Sequence, residues 1–290
     1  MVNPQDESWG RHLSWSGGSD AVGSCGVSHG GPYAGWKPLS FLIAASLGLP
    51  MTAPVFAFLL LREHPYGREM LQQLLKAGHR PALIIEEDSP VAAVEGQKFL
   101  ARTAGHAVAP TIAEQAGLHG LSVRAMPKLK SRALLDCFDS LTLDLIVLGG
   151  TGILRGDVLS YPQHGVINSH PGLLPECRGS ASPAWSVFHD LPVGATTHFC
   201  DAGIDTGDLL LRREFAVRRG MTYEDLCHGT QVLAGTLMVE ALNAYCAGGW
   251  GDLRHSQGES PWPTFKNAPD DVLAVVRRKL ADEAYEHFVA

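Results

Sequence analysis

The feature that most narrows the fold is an apolar strand, an amphipathic helix and a second apolar strand packed into about 35 residues. The stretch "VFAFLLL" (55–61) has no polar face. "PYGREMLQQLLKAGH" follows, with Met70, Leu71, Leu74 and Leu75 forming a stripe at helical spacing and Gly78 ending it. "PALIIEE" (81–87) is apolar again. A strand that is apolar on both faces needs cover on both faces. The pattern therefore predicts a βαβ unit in a parallel sheet, with order starting near Pro54.

The same alternation continues. "VAAVEGQKFLARTA" reads as a helix, "GLSVRAM" as a strand, "SRALLDCFDSL" as a helix and "LDLIVLGG" as a third buried strand. A short helix near 157–160 and the strand "GVINSH" come next. Then "GATTHFCD" and "GDLLLRREF" stand on either side of a Gly/Asp turn, which predicts an antiparallel pair at the sheet edge. "TYEDLCHGTQVLAGTLMVEALNAYCAG" is one long helix, with Thr222 as N-cap, Asp225 three residues on, and Gly248 and Gly249 past its end. A final helix starts near Pro269. The expected class is α/β, with a mixed, mostly parallel sheet, helices on both faces and antiparallel edge strands. Residues 1–50 read as a Gly/Ser-rich extension in which Trp9, Trp15 and Trp36 could dock elsewhere. Residues 51–250 read as the main domain and 251–290 as a tail carrying a helix.

Bulk properties exclude some classes. A net charge of -7 and a pI near 6.0 argue against a globally basic nucleic-acid binder. The short basic runs, Arg212 with Arg213, Arg218 with Arg219, and 277–279, read as solvated surface. The six cysteines include no C-x-x-C pair, so no metal site is expected and reduced thiols fit best. The apolar run at 39–51 is shorter than the roughly 20 residues a membrane span needs, and it lacks the flanks of a signal peptide. These points favour a soluble cytoplasmic chain with no membrane partner, its oligomeric state open and a homodimer included.

Chemistry concentrates in two places. In a strand, residues i and i+2 share a face. Asn168 and His170 therefore point the same way where "GVINSH" ends, at the strand end that lines the ligand crevice of an open α/β sheet. An amide donates to a developing oxyanion and an imidazole moves a proton near neutral pH. Alone, the pair also suits a loop histidine with a structural hydrogen bond. The second place is "HFCDAGIDTGDLLL", where Asp201 and Asp205 flank a glycine-containing loop. Such a loop can be a mere turn. A carboxylate set beside a histidine would raise its basicity.

Taken together, "NSHPGLLPECRGSASPAW" and "DAGIDTGDLLL" resemble the formyltransferases that use 10-formyltetrahydrofolate. The matching positions are Asn168, His170, Leu173, Leu174, Pro175, Gly179, Asp205, Thr206 and Gly207, and the similarity runs from about Pro54 to Gly248. The resemblance implies a Rossmann-like fold and a catalytic trio of Asn168, His170 and Asp205. Asn168 and protonated His170 would stabilise the oxygen of the tetrahedral intermediate, and Asp205 would pair with His170 and help move the amine's proton. It also implies that the folate lies against Leu148, Gly149, Ile153 and Leu154 and against the loop carrying Asp201, Ala202 and Ile204. The Leu174–Pro175 bond would be cis. His198 falls where purine-pathway members also carry a histidine.

The departures from the family pattern concern the acceptor. After the first strand, "REHPYGREML" offers only Gly67 where purine-pathway members have a glycine-rich phosphate loop. About 40 residues follow Gly248, too few for the basic barrel of the tRNA enzymes. The stretch around the histidine reads Ser169–His170, without the second histidine of the hydrolytic relatives, so transfer is favoured over hydrolysis. The expectation is a small-molecule amine acceptor and no nucleic acid. Such an acceptor would enter near His64, Arg68, Arg178 and His198. A non-catalytic folate binder is the remaining alternative, and a nicotinamide enzyme is disfavoured because no G-x-G-x-x-G follows the first strand.

Overall fold

The computed structural model describes residues 53–129 and 132–289. The expected extension over residues 1–50, its three tryptophans and the apolar run at 39–51 lie outside the described residues. Within them, the chain alternates as the sequence pattern predicts. Strand β1 (Phe56–Leu61), helix α1 (Pro65–Lys76), β2 (Leu83–Glu87), α2 (Pro90–Arg102), α3 (Ile112–His119), β3 (Val123–Met126), α4 (Arg132–Asp136) and β4 (Leu145–Leu148) come first. A 3-10 turn (Gly156–Leu159) leads to β5 (Val166–His170), α5 (Ser182–Phe188), β6 (Gly194–Phe199), β7 (Leu209–Glu214), α6 (Tyr223–Cys246) and α7 (Asp270–Ala281).

The strands form one sheet in the order β3-β2-β1-β4-β5-β6-β7. The first five run parallel, and β6 and β7 run antiparallel at one edge. Side-chain alternation explains why the central strands had to be apolar throughout. Phe56, Phe58 and Leu60 of β1 pack with Leu71 and Leu74 of α1 and Leu237 and Met238 of α6. Ala57 and Leu59 pack on the opposite face with Leu134, Phe138 and Val158. Strand β4 divides the same way, Leu145 and Val147 to one layer and Ile146 and Leu148 to the other. Burying one such side chain contributes about 1.5–3 kcal/mol, so these layers dominate stability.

Two helices escape the sequence reading. Helix α3 has only 8 residues, but Thr111 and Glu114 form a capping box that marks its start. Helix α5 has 7 residues and follows Ala181 in the left-handed region (φ +56°), with Pro183 in its first turn as its one local signal. Helix α4 is shorter than the stripe in "SRALLDCFDSL" suggests. The capping box of Thr222 and Asp225 on α6 forms as expected, and the Leu174–Pro175 bond is cis.

The chain reverses its direction across the sheet between β1 and β4, and the crevice opens at their carboxyl ends. Close backbone packing shapes it. A Cβ on Gly67 would lie 2.3 Å from the Gly149 carbonyl oxygen, and one on Gly149 would lie 2.2 Å from the Phe58 ring. Gly67→Ala should therefore destabilise the fold by about 2 kcal/mol through overpacking. That corresponds to a drop of about 6 °C in Tm for a domain of this size, measured by thermal unfolding.

Candidate active site

Strand β5 ends by presenting Asn168 and His170 on one face, and Ser169 on the other. The Ser169 hydroxyl meets Thr197 Oγ1 at 2.5 Å, and its carbonyl accepts from the Tyr66 hydroxyl, so this residue is tied into the sheet. Because β6 runs antiparallel to β5, Asn168 stands directly opposite His198, and His170 opposite Thr196. The register brings an amide and two imidazoles to one patch. Thr196 Oγ1 donates to the Gly172 carbonyl at 2.8 Å and accepts from the Leu174 N–H at 3.1 Å, which holds the loop leaving β5.

Asp205 arrives from the loop between β6 and β7 in the left-handed region (φ +53°). Its Oδ2 accepts from the Gly179 N–H at 2.8 Å and lies 3.6 Å from His170 Nδ1. Its Oδ1 lies 3.5 Å from His198 Nε2. The structure thus brings Asn168, His170, His198 and Asp205 together. His170 and His198 are almost fully buried, at 4% and 1% exposure.

The hydrogen-bond network assigns the protons. His170 Nε2 lies 2.8 Å from the Cys177 carbonyl, which can only accept, so Nε2 carries a hydrogen; the Ser182 hydroxyl sits 2.9 Å from the same nitrogen. Nδ1 is then the atom that faces Asp205. A ring protonated at Nε2 alone would turn the Nδ1 lone pair towards that carboxylate. His198 donates from Nδ1 to the Phe199 carbonyl at 2.8 Å. Its Nε2 stands between Asp205 Oδ1 and Asn168 Nδ2, 3.3 Å from the latter.

Burial alone would push the Asp205 carboxyl up. The His170 charge, the hydrogen bond and charge of His198, and the Gly179 N–H together outweigh burial and hold it well below the usual carboxylate range. Asp205 is ionised throughout the neutral range.

The other sequence candidates are more dispersed. Leu148 and Leu154 are buried in the apolar layers, and Gly149 is pressed on Phe58. Ile153 is 41% exposed in the loop after β4. Asp201 uses Oδ1 to accept from the Gly203 N–H at 3.0 Å and from Thr206 Oγ1 at 2.6 Å, which shapes the loop that also carries Ala202 and Ile204. His64 is buried edge-on to Phe99, and burial lowers its pKa to about 4, so it carries no charge at neutral pH. Arg68 donates to the Ala109 and Pro110 carbonyls, and Arg178 to Gln257 Oε1. Sequence reasoning singled out Gly179 only as a matching position, and it missed Ser182, Thr196 and Gln257. For Thr196, the alternation shared with His198 in "GATTHFCD" was the available signal. No group of metal-ligating side chains occurs among the described residues.

Comparison with known proteins places this geometry. The sequence model of the family described as formyl transferase matches residues 58–242. The chain belongs to the formyl transferase family. Among its relatives is a methionyl-tRNA formyltransferase of Ruminiclostridium cellulolyticum, 34% identical over 175 residues, covering 59% of this chain and 53% of that protein. Another, of Anaeromyxobacter dehalogenans, is 32% identical over 217 residues, covering 73% of this chain and 66% of that protein. The chain thus spans about half to two thirds of the length of the relatives it matches. In fold, the formyl transferase resembles glycinamide ribonucleotide transformylase 1 from Symbiobacterium toebii (TM-score 0.54, 22% identity, 71% of this chain and 95% of that one). It also resembles a 4-N formyltransferase from Francisella tularensis (TM-score 0.53, 17% identity, 76% and 78% coverage).

The relatives correct one expectation. A small-molecule acceptor and no nucleic acid were expected, whereas relatives such as these are named for methionyl-tRNA. The expectation leaned on net charge and on the short stretch after Gly248. The net charge is a sum over the whole chain, and neither feature bears on the region 58–242 in which the family is recognised. No helix among the described residues is long and apolar enough to cross a membrane.

The depressed Asp205 carboxyl makes stability depend on pH in one direction. Its contribution is complete above the unfolded value of about 3.9 and is lost as pH falls below it. Against Asp205→Asn, wild type should therefore lose relative stability below about pH 4, by up to about 1.4 kcal/mol per pH unit. Urea unfolding of both proteins between pH 2 and 7, both on the order of ordinary buffer limits, reads this difference.

Proposed function

We propose that this formyl transferase moves a formyl group from 10-formyltetrahydrofolate to a primary amine, with Asn168, His170 and Asp205 as its catalytic residues. The observation that supports the reading is the convergence of the Asn168 amide, the His170 ring and the Asp205 carboxylate at the carboxyl end of β5. When bound, the folate would supply an activated formyl carbonyl. Ile153, left exposed after β4, offers an apolar surface for a flat heterocycle, and the loop holding Asp201, Ala202 and Ile204 would close its other side.

In this reading Asn168 donates an N–H to the formyl oxygen as the amine attacks. His198 stands behind that amide and pairs with Asp205. The Nδ1 proton of His170 is the charge nearest the same oxygen, and Asp205 keeps that proton in place. Asp205 also lies where a proton leaving the amine would be received. The names of the relatives make the α-amine of methionyl-tRNA the acceptor to test first.

Transfer of radiolabelled formyl from the folate to methionyl-tRNA, with no-amine and small-amine controls, tests the reading. Label should appear on the aminoacyl-tRNA, and folate release should depend on the acceptor. Equal folate release without any amine would instead mean hydrolysis. Asn168→Ala should lower turnover by about 100-fold or more if its amide supports the oxyanion. Turnover near the wild-type rate in that variant would remove Asn168 from the mechanism.

A further inference from the structure

A short stretch beyond the family match draws together both loops that hold the site. It leaves α6 and crosses the mouth of the sheet before α7 begins. At one end, His255 and Leu209 exchange two backbone hydrogen bonds at 2.7 and 3.0 Å, and Arg254 pairs with Asp208 at 2.7 Å. At the other end, the Phe265 N–H donates to the Arg178 carbonyl at 2.9 Å, and the Ser180 N–H to the Phe265 carbonyl at 3.0 Å. Between these anchors, residues 254–256 and 258–259 are exposed, while Gln257 turns inward.

Every hydrogen-bonding position of the Gln257 amide is used. Its Nε2 donates to the Asp205 carbonyl at 2.8 Å and to the Gly207 carbonyl at 2.7 Å. Its Oε1 accepts from Arg178 Nη2 at 2.9 Å and Nε at 3.3 Å. The amide can be oriented only one way, because two carbonyls demand the nitrogen and the guanidinium demands the oxygen. The two segments it joins are those that meet at the catalytic carboxylate. Gly179, next to Arg178, donates its N–H to Asp205 Oδ2, and Cys177 accepts from His170 Nε2. Asp205 itself sits at φ +53°, in the left-handed region, which Asp adopts more readily than most non-glycine residues.

We propose that Gln257 is a positioning residue for formyl transfer: its amide locks the 205–207 turn to Arg178 and so fixes the Asp205 carboxylate against His170. The proposal rests on the assignment of Asp205 to catalysis. It extends the working unit past residue 250, since the tail segment then completes the site. A buried carboxylate that shifts by 1 Å loses its alignment with the imidazole, and misplacements of that size cost about 100-fold in rate.

The test uses the full chain with Gln257→Met, which keeps the stem and removes the amide. Gln257→Glu is the second variant, because it keeps the shape and the Arg178 contact but sets an acceptor against the two carbonyls. Both should lower kcat by roughly 10- to 100-fold with a smaller change in the KM for folate. In the Asp205→Asn background the same changes should cost little more, since their effect passes through that carboxylate. Losses that simply multiply with that of Asp205→Asn, or a kcat within about twofold of wild type, would overturn the proposal. An activity-independent reading comes from carbon NMR of the Asp205 carboxyl, whose titration should move upward in Gln257→Met. A wild type with no acceptor-dependent transfer would fail the functional reading alone, and the carboxyl titration would still decide on Gln257. An unmoved titration would overturn the positioning role whatever the activity.

Discussion

The site is organised by one largely buried carboxylate. Taking an ion such as Asp205 out of water costs several kcal/mol unless donors and opposite charge offset it. Here the Gly179 N–H and two imidazoles supply the offset, and each comes from a different segment of the chain. The loop at 176–180, strand β5 and strand β6 are thereby fixed relative to one another by a single group. Burying the two histidines beside it strengthens every one of these interactions, because no water screens them.

The sheet makes this convergence possible. A parallel sheet sends the carboxyl ends of β1, β4 and β5 to one edge. The switch to antiparallel pairing at β6 then returns His198 beside Asn168, thirty residues later in the chain. A parallel neighbour would need a crossover and would present the start of its strand differently. The close packing of Gly67 on the Gly149 carbonyl, and of Gly149 on the Phe58 ring, leaves no room for a side chain at either glycine between β1 and β4.

What the sequence disclosed follows from where its signals are local. The strands, the long helices and the capping box at Thr222 are each written in a short window, and all of them form. The i, i+2 spacing of Asn168 and His170 placed both on one face for the same reason. Gln257 was invisible because its partners lie 50 and 52 residues away and its neighbours are ordinary polar surface. Helix α5 was missed because it has 7 residues and no side-chain cap, which leaves Pro183 in its first turn as a lone signal. The expectation of a small-molecule acceptor leaned on a global charge and on the short stretch after Gly248, and neither records the local contacts on which acceptor choice depends.

The proton assignments limit how the histidine can work. His170 Nε2 is committed to the Cys177 carbonyl and has the Ser182 hydroxyl beside it, both buried. Giving up that hydrogen would leave a buried carbonyl unpaired, at a cost of about 1–3 kcal/mol. Nδ1 is therefore the nitrogen that exchanges, and it faces Asp205. Any proton that His170 gives or takes passes on the Asp205 side. In the proposed reading the same geometry gives the carboxylate its part: without it, a neutral ring would place its proton on Nε2 and turn a bare lone pair towards the position of Asp205. Such a ring could accept a proton but could not donate to a developing oxyanion.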